Sequence, residues 1–101
     1  MLALFSTFPT DKGESISDIV AQAIDLIPGS GLDYQVTSMG TLIEGDWEMV
    51  MDVIKKCHQK IKEKSKRVYT VITIDDREGA KGRLKAKVAS IEKKLGHEVR
   101  K

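Results

Sequence analysis

Apolar and polar positions alternate with a period of two at the start of the chain, where Leu2, Leu4 and Phe8 fall on one side and Ala3 and Phe5 on the other. That period predicts a β-strand over residues 2 to 8, ended by Pro9 and the polar Thr10-Asp11-Lys12-Gly13 loop. The period then lengthens to that of a helix, with Ile16, Ile19, Val20, Ala23, Ile24 and Ile27 forming one apolar stripe. Ser15 is placed to cap this helix, with Asp18 three residues on, a near relative of the capping box. Pro28-Gly29-Ser30-Gly31 stops it.

Two short strands follow, at about residues 33 to 38 and 41 to 45, joined by a tight turn where Gly40 can take a positive φ. Asp46 then stands where a second helix needs a cap, and Trp47, Val50, Met51, Ile54 and Ile61 line one side of that helix opposite a lysine-rich one. Residues 67 to 75 are β-branched almost throughout and make the clearest strand of the chain. After a charged, glycine-bearing loop, a last helix over residues 83 to 95 carries Leu84, Val88, Ile91 and Leu95 on a narrow seam and ends at Gly96.

The element order is βαββαβ with one helix added. It predicts an α+β, ferredoxin-like fold: a four-stranded antiparallel sheet with two helices on one face and the added C-terminal helix outside that unit, in one domain over residues 1–101. Two helices cover only one sheet face, yet the first and last strands are apolar on both. Ile72 and Ile74 alternate with Tyr69 and Val71 as Leu2 and Leu4 do with Ala3 and Phe5. The second face therefore requires a cover, either the third helix folded back or another subunit, and a homo-oligomer is expected.

Composition narrows the function classes. In 101 residues, 41% are hydrophobic and 32% charged, which is the balance of a globular chain rather than a disordered one. A net charge of +2 gives no electrostatic argument for nucleic acid. RNA-binding domains of this shape stack bases on aromatic residues of the inner strands; Phe5 and Tyr69 are the candidates for that face, but the glycine and aromatic signature around them is missing. Cys57 is the only cysteine, so no intramolecular disulfide can form, and a reducing, cytosolic setting fits. The opening Met1-Leu2-Ala3-Leu4-Phe5 run lacks a basic flank and meets Pro9 too early to be a signal-peptide core or a membrane anchor.

Candidate chemistry concentrates in two places. The run Tyr34-Gln35-Val36-Thr37-Ser38-Met39-Gly40-Thr41-Leu42-Ile43-Glu44-Gly45 sets polar groups within two apolar strands, and it is where a ligand site is expected. Tyr34 and Trp47 are the aromatics nearest it, suited to a flat or cationic ring, and Glu44 is a carboxylate that, if partly buried, requires a cationic partner. The second concentration is Asp75-Asp76-Arg77-Glu78 with Lys81-Gly82-Arg83 ahead of the last helix. There an anion could sit at the helix N-terminus, on backbone N–H groups and Arg77 or Arg83, but the favoured reading is pairing of Asp75, Asp76 and Glu78 with those arginines, or a salt bridge between subunits. The absence of any asparagine argues against an acylphosphatase on this fold. Cys57-His58 makes a poor catalytic pair, since adjacent helical residues point about 100° apart, and two histidines with scattered carboxylates offer no metal-ligand spacing.

Taken together, Ser6 and Pro9, Gly13-Glu14-Ser15, Tyr34-Gln35-x-Thr37-x-Met39-Gly40-Thr41-x-Ile43-Glu44-Gly45, Cys57-His58, Arg67-Val68, Ile74-Asp75-Asp76-Arg77, Gly82-Arg83-Leu84 and Lys87-Val88 resemble the small thiamine-binding-protein-like family of archaea and bacteria. The resemblance runs over nearly the whole chain; Ser38 departs from it where the family usually has proline, and Val36 where leucine is common. It implies a cofactor-free subunit that assembles into dimers and then tetramers and binds thiamine or its hydroxymethylpyrimidine part without catalysis. In that reading Glu44 neutralises the thiazolium, Tyr34 or Trp47 faces it, and Gln35, Thr37 and Ser6 match the aminopyrimidine edge. Met39 packs on a ring, Gly40 permits close approach, and Thr41 completes the motif.

The expectation is thus a non-enzymatic, oligomeric, small-ligand binding protein for thiamine or a related pyrimidine, serving carriage, buffering or sensing. Two alternatives stand beside it. One is a cofactor-free isomerase, lyase or monooxygenase with Glu44 or His58 as base; the other is a structural or regulatory subunit whose hairpin contacts another chain.

Overall fold

The computed structural model describes residues 1–11, 16–79 and 81–100. Its elements run β1 (Leu2–Pro9), α1 (Ile16–Ile24), β2 (Asp33–Thr37), β3 (Gly40–Glu44), α2 (Trp47–Lys62), β4 (Val68–Asp75) and α3 (Arg83–Leu95). The four strands form one antiparallel sheet in the order β2-β3-β1-β4, the ferredoxin-like arrangement expected from the element order.

Register explains which side of each strand is buried. Ala3 lies opposite Ile43 and Ile74, and Phe5 opposite Thr41 and Ile72; these residues share one face, on which α1 and α2 pack. Ala3, Phe5 and Ile43 there, with Ala23 of α1, Ile27 just beyond it, and Val50, Ile54, Cys57 and Ile61 of α2, are between 0% and 2% exposed. Burying a side chain of Phe or Ile size in this way contributes roughly 1.5–3 kcal/mol each. Phe5 thus belongs to the core beneath the helices, while Tyr69, opposite Phe8, stands on the other face and is 52% exposed. The shared aromatic platform that base stacking requires is not formed by these two residues.

Several boundaries differ from the sequence expectation for identifiable reasons. α1 ends at Ile24 rather than Ile27, because the chain tightens into three-residue hydrogen bonds, Leu26 N–H to the Ala23 carbonyl and Ile27 N–H to the Ile24 carbonyl, before the 3-10 turn Pro28–Ser30. Ile27 remains fully buried all the same. Asp46 occupies the N-cap position of α2, but its side chain makes no capping hydrogen bond. Trp47 is about half exposed rather than part of the apolar side of α2, and Val53 and Cys57 are buried there instead. The Ser15 cap lies outside the described residues.

The second sheet face receives α3, though only in part. Leu84 is buried and Val88 half-buried where the helix meets β3 and β2, while Ile91 and Leu95, farther along the same seam, are exposed. Tyr69 and Val71 of β4 stay exposed as well. The Cα radius of gyration is 15.0 Å, against about 13 Å for a compact chain of this length. The principal extents of 47 × 29 × 21 Å likewise show an elongated subunit.

Candidate functional site

β1 pairs with β4 along its whole length but with β3 only from Leu2 to Phe5. The hairpin turns back at Ser38 and Met39, so beyond Phe5 the β1 segment has no strand beside it on the β3 side among the described residues. A cleft of about 210 Å³ opens there. Phe5–Phe8 of β1 form one wall, Val36–Thr41 of the hairpin another, and Val20 and Ile24 of α1 the floor.

Gly40 makes this geometry attainable. Its φ is +150°, and a Cβ on it would lie 2.9 Å from the Phe5 carbonyl oxygen and 3.1 Å from Leu4 Cδ1. The close approach that glycine permits is therefore made by β1. Thr37 holds the turn itself: its hydroxyl donates to the Gly40 carbonyl at 2.7 Å and accepts from the Met39 N–H at 3.2 Å.

Among the described residues the cleft is lined by no charged side chain. Five hydroxyl-bearing residues, Ser6, Thr7, Thr37, Ser38 and Thr41, line it among apolar ones; successive residues of β1 face opposite ways, so Thr7 is on the side of α1 and Ser6 on the other. Thr37 is committed to the turn, and Thr7 to Thr70 at 2.6 Å, whose hydroxyl in turn lies 2.7 Å from His58 Nδ1. Thr41 differs from both. It is 3% exposed, and its hydroxyl has no hydrogen-bond partner among the described residues; Ser6 and Ser38 are likewise without one. No buried side-chain polar atom among the described residues lacks a partner, so the small exposed part of Thr41 includes its hydroxyl, which is open to the cleft.

Of the residues singled out in the sequence, Ser6, Thr37, Met39, Gly40 and Thr41 meet at this cleft. The others do not. Tyr34 and Gln35 are neighbours on a pleated strand and so face opposite ways: Tyr34 lies against Val20, Ala21 and Ile24 of α1, whereas Gln35 lies beside Leu84, Lys85 and Val88 of α3. Trp47 stands at the start of α2 and lines none of these cavities. Phe5, Thr7, Phe8, Val20, Ile24, Val36 and Ser38 complete the cleft although the sequence did not single them out as ligand-binding residues. Val20 and Ile24 read there as core positions of α1, and only the early turn of the hairpin exposes them to the cleft.

Glu44 lies outside the cleft, at the start of α3. Its two carboxylate oxygens accept the N–H groups of Arg83 at 2.8 Å and Leu84 at 3.2 Å, the first residues of α3. The partner expected for this carboxylate was a side-chain cation; it is instead the positive end of a helix whose own cap position, Gly82, offers no side chain. The same contact fills the N-terminus at which an anion was the alternative reading. Arg83 further pairs with Asp75 through its guanidinium, and that hydrogen bond holds the Asp75 carboxyl below its ordinary value.

Cys57 and His58 diverge as the helix requires. The Cys57 thiol donates to the Ala23 carbonyl at 3.3 Å in the core, and burial pushes it up to about 11. At about pH 8 that leaves roughly one thiol in a thousand ionised. Iodoacetamide should therefore leave the folded protein unlabelled and modify Cys57 promptly in denaturant; rapid native labelling seen by intact mass would show that the core opens there.

A family model described as thiamine-binding protein matches residues 3–92. The chain belongs to the thiamine-binding protein family. Within it, the chain is 38% identical to a UPF0045 protein of Mycobacterium bovis, over 94% of both chains. It is 36% identical to a UPF0045 protein of Methanothermobacter thermautotrophicus, over 80% of this chain and 84% of that one. Among solved structures, a hypothetical protein of Methanocaldococcus jannaschii superposes with a TM-score of 0.82 at 29% identity, covering 89% and 93% of the two chains. A Thermotoga maritima protein assigned provisionally to thiamine biosynthesis or salvage shares the fold, with a TM-score of 0.78 at 23% identity over 89% and 96%. Among the described residues no helix of this family member is long and apolar enough to cross a membrane, and no group of side chains could hold a metal ion.

Proposed function

We propose that this member of the thiamine-binding protein family binds the aminopyrimidine half of thiamine, or free hydroxymethylpyrimidine, in the hairpin cleft and performs no reaction on it, in carriage, buffering or sensing. The observation that carries the reading is the Thr41 hydroxyl, which has no partner among the described residues and keeps its small exposure at the wall of the cleft. An aminopyrimidine is flat and neutral, with a donor beside ring acceptors, and hydroxyls satisfy both kinds of group. The lining, uncharged among the described residues, supports a neutral ring over the cationic thiazolium, which would extend past Met39 toward solvent. The cleft is smaller than sites for drug-sized ligands, in keeping with one ring.

Binding without reaction is supported by where the two sequence-level bases stand. Glu44 is spent on α3, and His58 reaches the cleft wall only through Thr70 and Thr7. The proposal includes a homo-oligomer, a dimer or tetramer of subunits. The exposed apolar residues Tyr69 and Val71 on the sheet, and Ile91 and Leu95 on the far part of α3, are what a second copy of this chain would bury.

Native mass spectrometry of the protein alone, with thiamine, with thiamine phosphates and with hydroxymethylpyrimidine tests both parts. An oligomer gaining one pyrimidine ligand per subunit is expected. Thr41→Val should weaken that binding roughly tenfold through the loss of one hydrogen bond, whereas Trp47→Ala should leave it unchanged. Equal affinity in wild type and Thr41→Val would sink the site; an oligomer that takes up none of the ligands would favour the interaction subunit.

A further inference from the structure

α3 concentrates the positive charge of the chain. Between Arg83 and Leu95 it holds five basic residues and one acidic residue, a net +4 in a chain whose total is +2. On the flank of α3 that faces β1 and β4 lies a groove of about 440 Å³, lined by Leu2, Asp75, Arg77, Arg83, Lys87 and Ser90, with Ala86 beside them. It is apart from the hairpin cleft, since Leu2 and Ser6 are separated by about 13 Å along β1.

Three cations therefore converge on a single carboxylate. Asp75 is held below its ordinary value by the Arg83 hydrogen bond first, and the charges of Arg83, Lys87 and Arg77 all act in the same direction. The ion pairs among the described residues are Lys56 with Asp52, Lys60 with Glu63, and Arg83 with Asp75; Arg77 and Lys87 are in none of them. Among the residues lining the groove Asp75 neutralises Arg83 and fixes its guanidinium, which leaves Arg77 and Lys87 as two excess positive charges there; Glu44, which also acts on Arg83, sits at the helix N-terminus and not in the groove. The Ser90 hydroxyl, which also has no partner among the described residues, is one turn beyond Lys87 on the same flank.

We propose that this groove is a second binding site, for the dianionic phosphate of an organic phosphomonoester, with Arg77 and Lys87 supplying the charge, Ser90 a hydrogen bond, and Leu2 and Ala86 an apolar bed for the ester group. The proposal stands apart from the cleft reading and survives its failure. A dianion matches the two uncompensated charges, and a groove of this volume is in the range of small-ligand sites rather than of a bare ion. It also moves the anion site of this region from the helix N-terminus, which Glu44 occupies, to the side of the helix.

The test is a ¹⁵N NMR titration of the full chain at constant ionic strength and about pH 7.5, where phosphomonoesters are mainly dianionic. The probes are inorganic phosphate, phenyl phosphate and chloride. Saturable shifts confined to residues 75–77 and 83–90 are expected with both phosphates and not with chloride, with phenyl phosphate the tighter. Arg77→Ala and Lys87→Ala should each weaken binding about tenfold, while Lys62→Ala on the exposed end of α2 should not. Shifts spread over the surface lysines, or an equal loss in Lys62→Ala, would mean an adventitious ion only and overturn the site. Equal affinities for inorganic and phenyl phosphate would overturn the ester part of the proposal.

Discussion

Gly40→Ala is expected to destabilise the protein by roughly 2–6 kcal/mol and to abolish the ligand uptake proposed for the hairpin cleft. Two separate costs add. The φ of +150° is one that side chains rarely adopt, which costs roughly 1–3 kcal/mol. The new methyl would also meet the Phe5 carbonyl oxygen at 2.9 Å, backbone that cannot swing aside, at roughly 1–3 kcal/mol more. Relief by moving β3 away from β1 would break the Phe5 to Thr41 pairing that closes the cleft. For a chain of this size the loss lowers the melting temperature by about 10 °C or more. Gly79→Ala is the matched comparison, since Gly79 also has a positive φ, +76°, but nothing lies within 4 Å of an added Cβ; it should cost only roughly 1–2 kcal/mol. Equal melting temperatures for the two variants would show that the Phe5 contact is relieved and that the hairpin does not depend on it.

Glu44→Ala should release α3 while leaving the sheet and the other two helices folded. The carboxylate satisfies two N–H groups at a helix start that has no cap of its own, and charge-assisted hydrogen bonds of this kind contribute about 2 kcal/mol together. α3 has 13 residues and only its first turns are packed, a length at which an isolated helix is marginal in water. The loss is therefore expected as local opening rather than global unfolding. Hydrogen exchange should accelerate from Leu84 to Leu95 by about 30-fold, the equivalent of 2 kcal/mol, while Phe5 and Ile43 keep their protection. Glu44→Gln, which retains an accepting oxygen but no charge, should fall between. Unchanged exchange across α3 in Glu44→Ala would remove the carboxylate from its structural role and return it to the ligand. If the proposed second copy packs on the α3 seam, the same variant should also weaken that association.

The parts of the fold legible in the sequence were those with local causes. The period of two in β1 and β4, the stripe of α1 and the Gly96 stop of α3 each act within a few residues, and the strand and helix bounds follow them closely. Asp46 was legible as a position, not as a bond, because Ser, Thr, Asp or Asn at an N-cap is a preference that the local backbone is free to leave unused. At the candidate site, Ser6, Thr37, Met39, Gly40 and Thr41 were legible because the motif and the hairpin turn are contiguous or cross one strand pairing. Tyr34, Gln35, Glu44 and Trp47 were grouped with them by nearness in sequence, and nearness does not survive a pleat or a change of element.

By itself the sequence determined the element order, the ferredoxin-like class and the family, since these rest on periodicity, breakers and a motif that spans the chain. Only the tertiary structure decided what each polar group meets. Glu44 caps a helix that starts 39 residues later, Phe5 turns toward the helices, and Thr41 is left with an unpartnered hydroxyl at the edge of a gap. The physical reason is strand register. Once Ala3 is set against Ile43, the alternation of side chains assigns every neighbour to one face or the other. The length of β1 beyond its last β3 partner then leaves the opening that a ligand can enter.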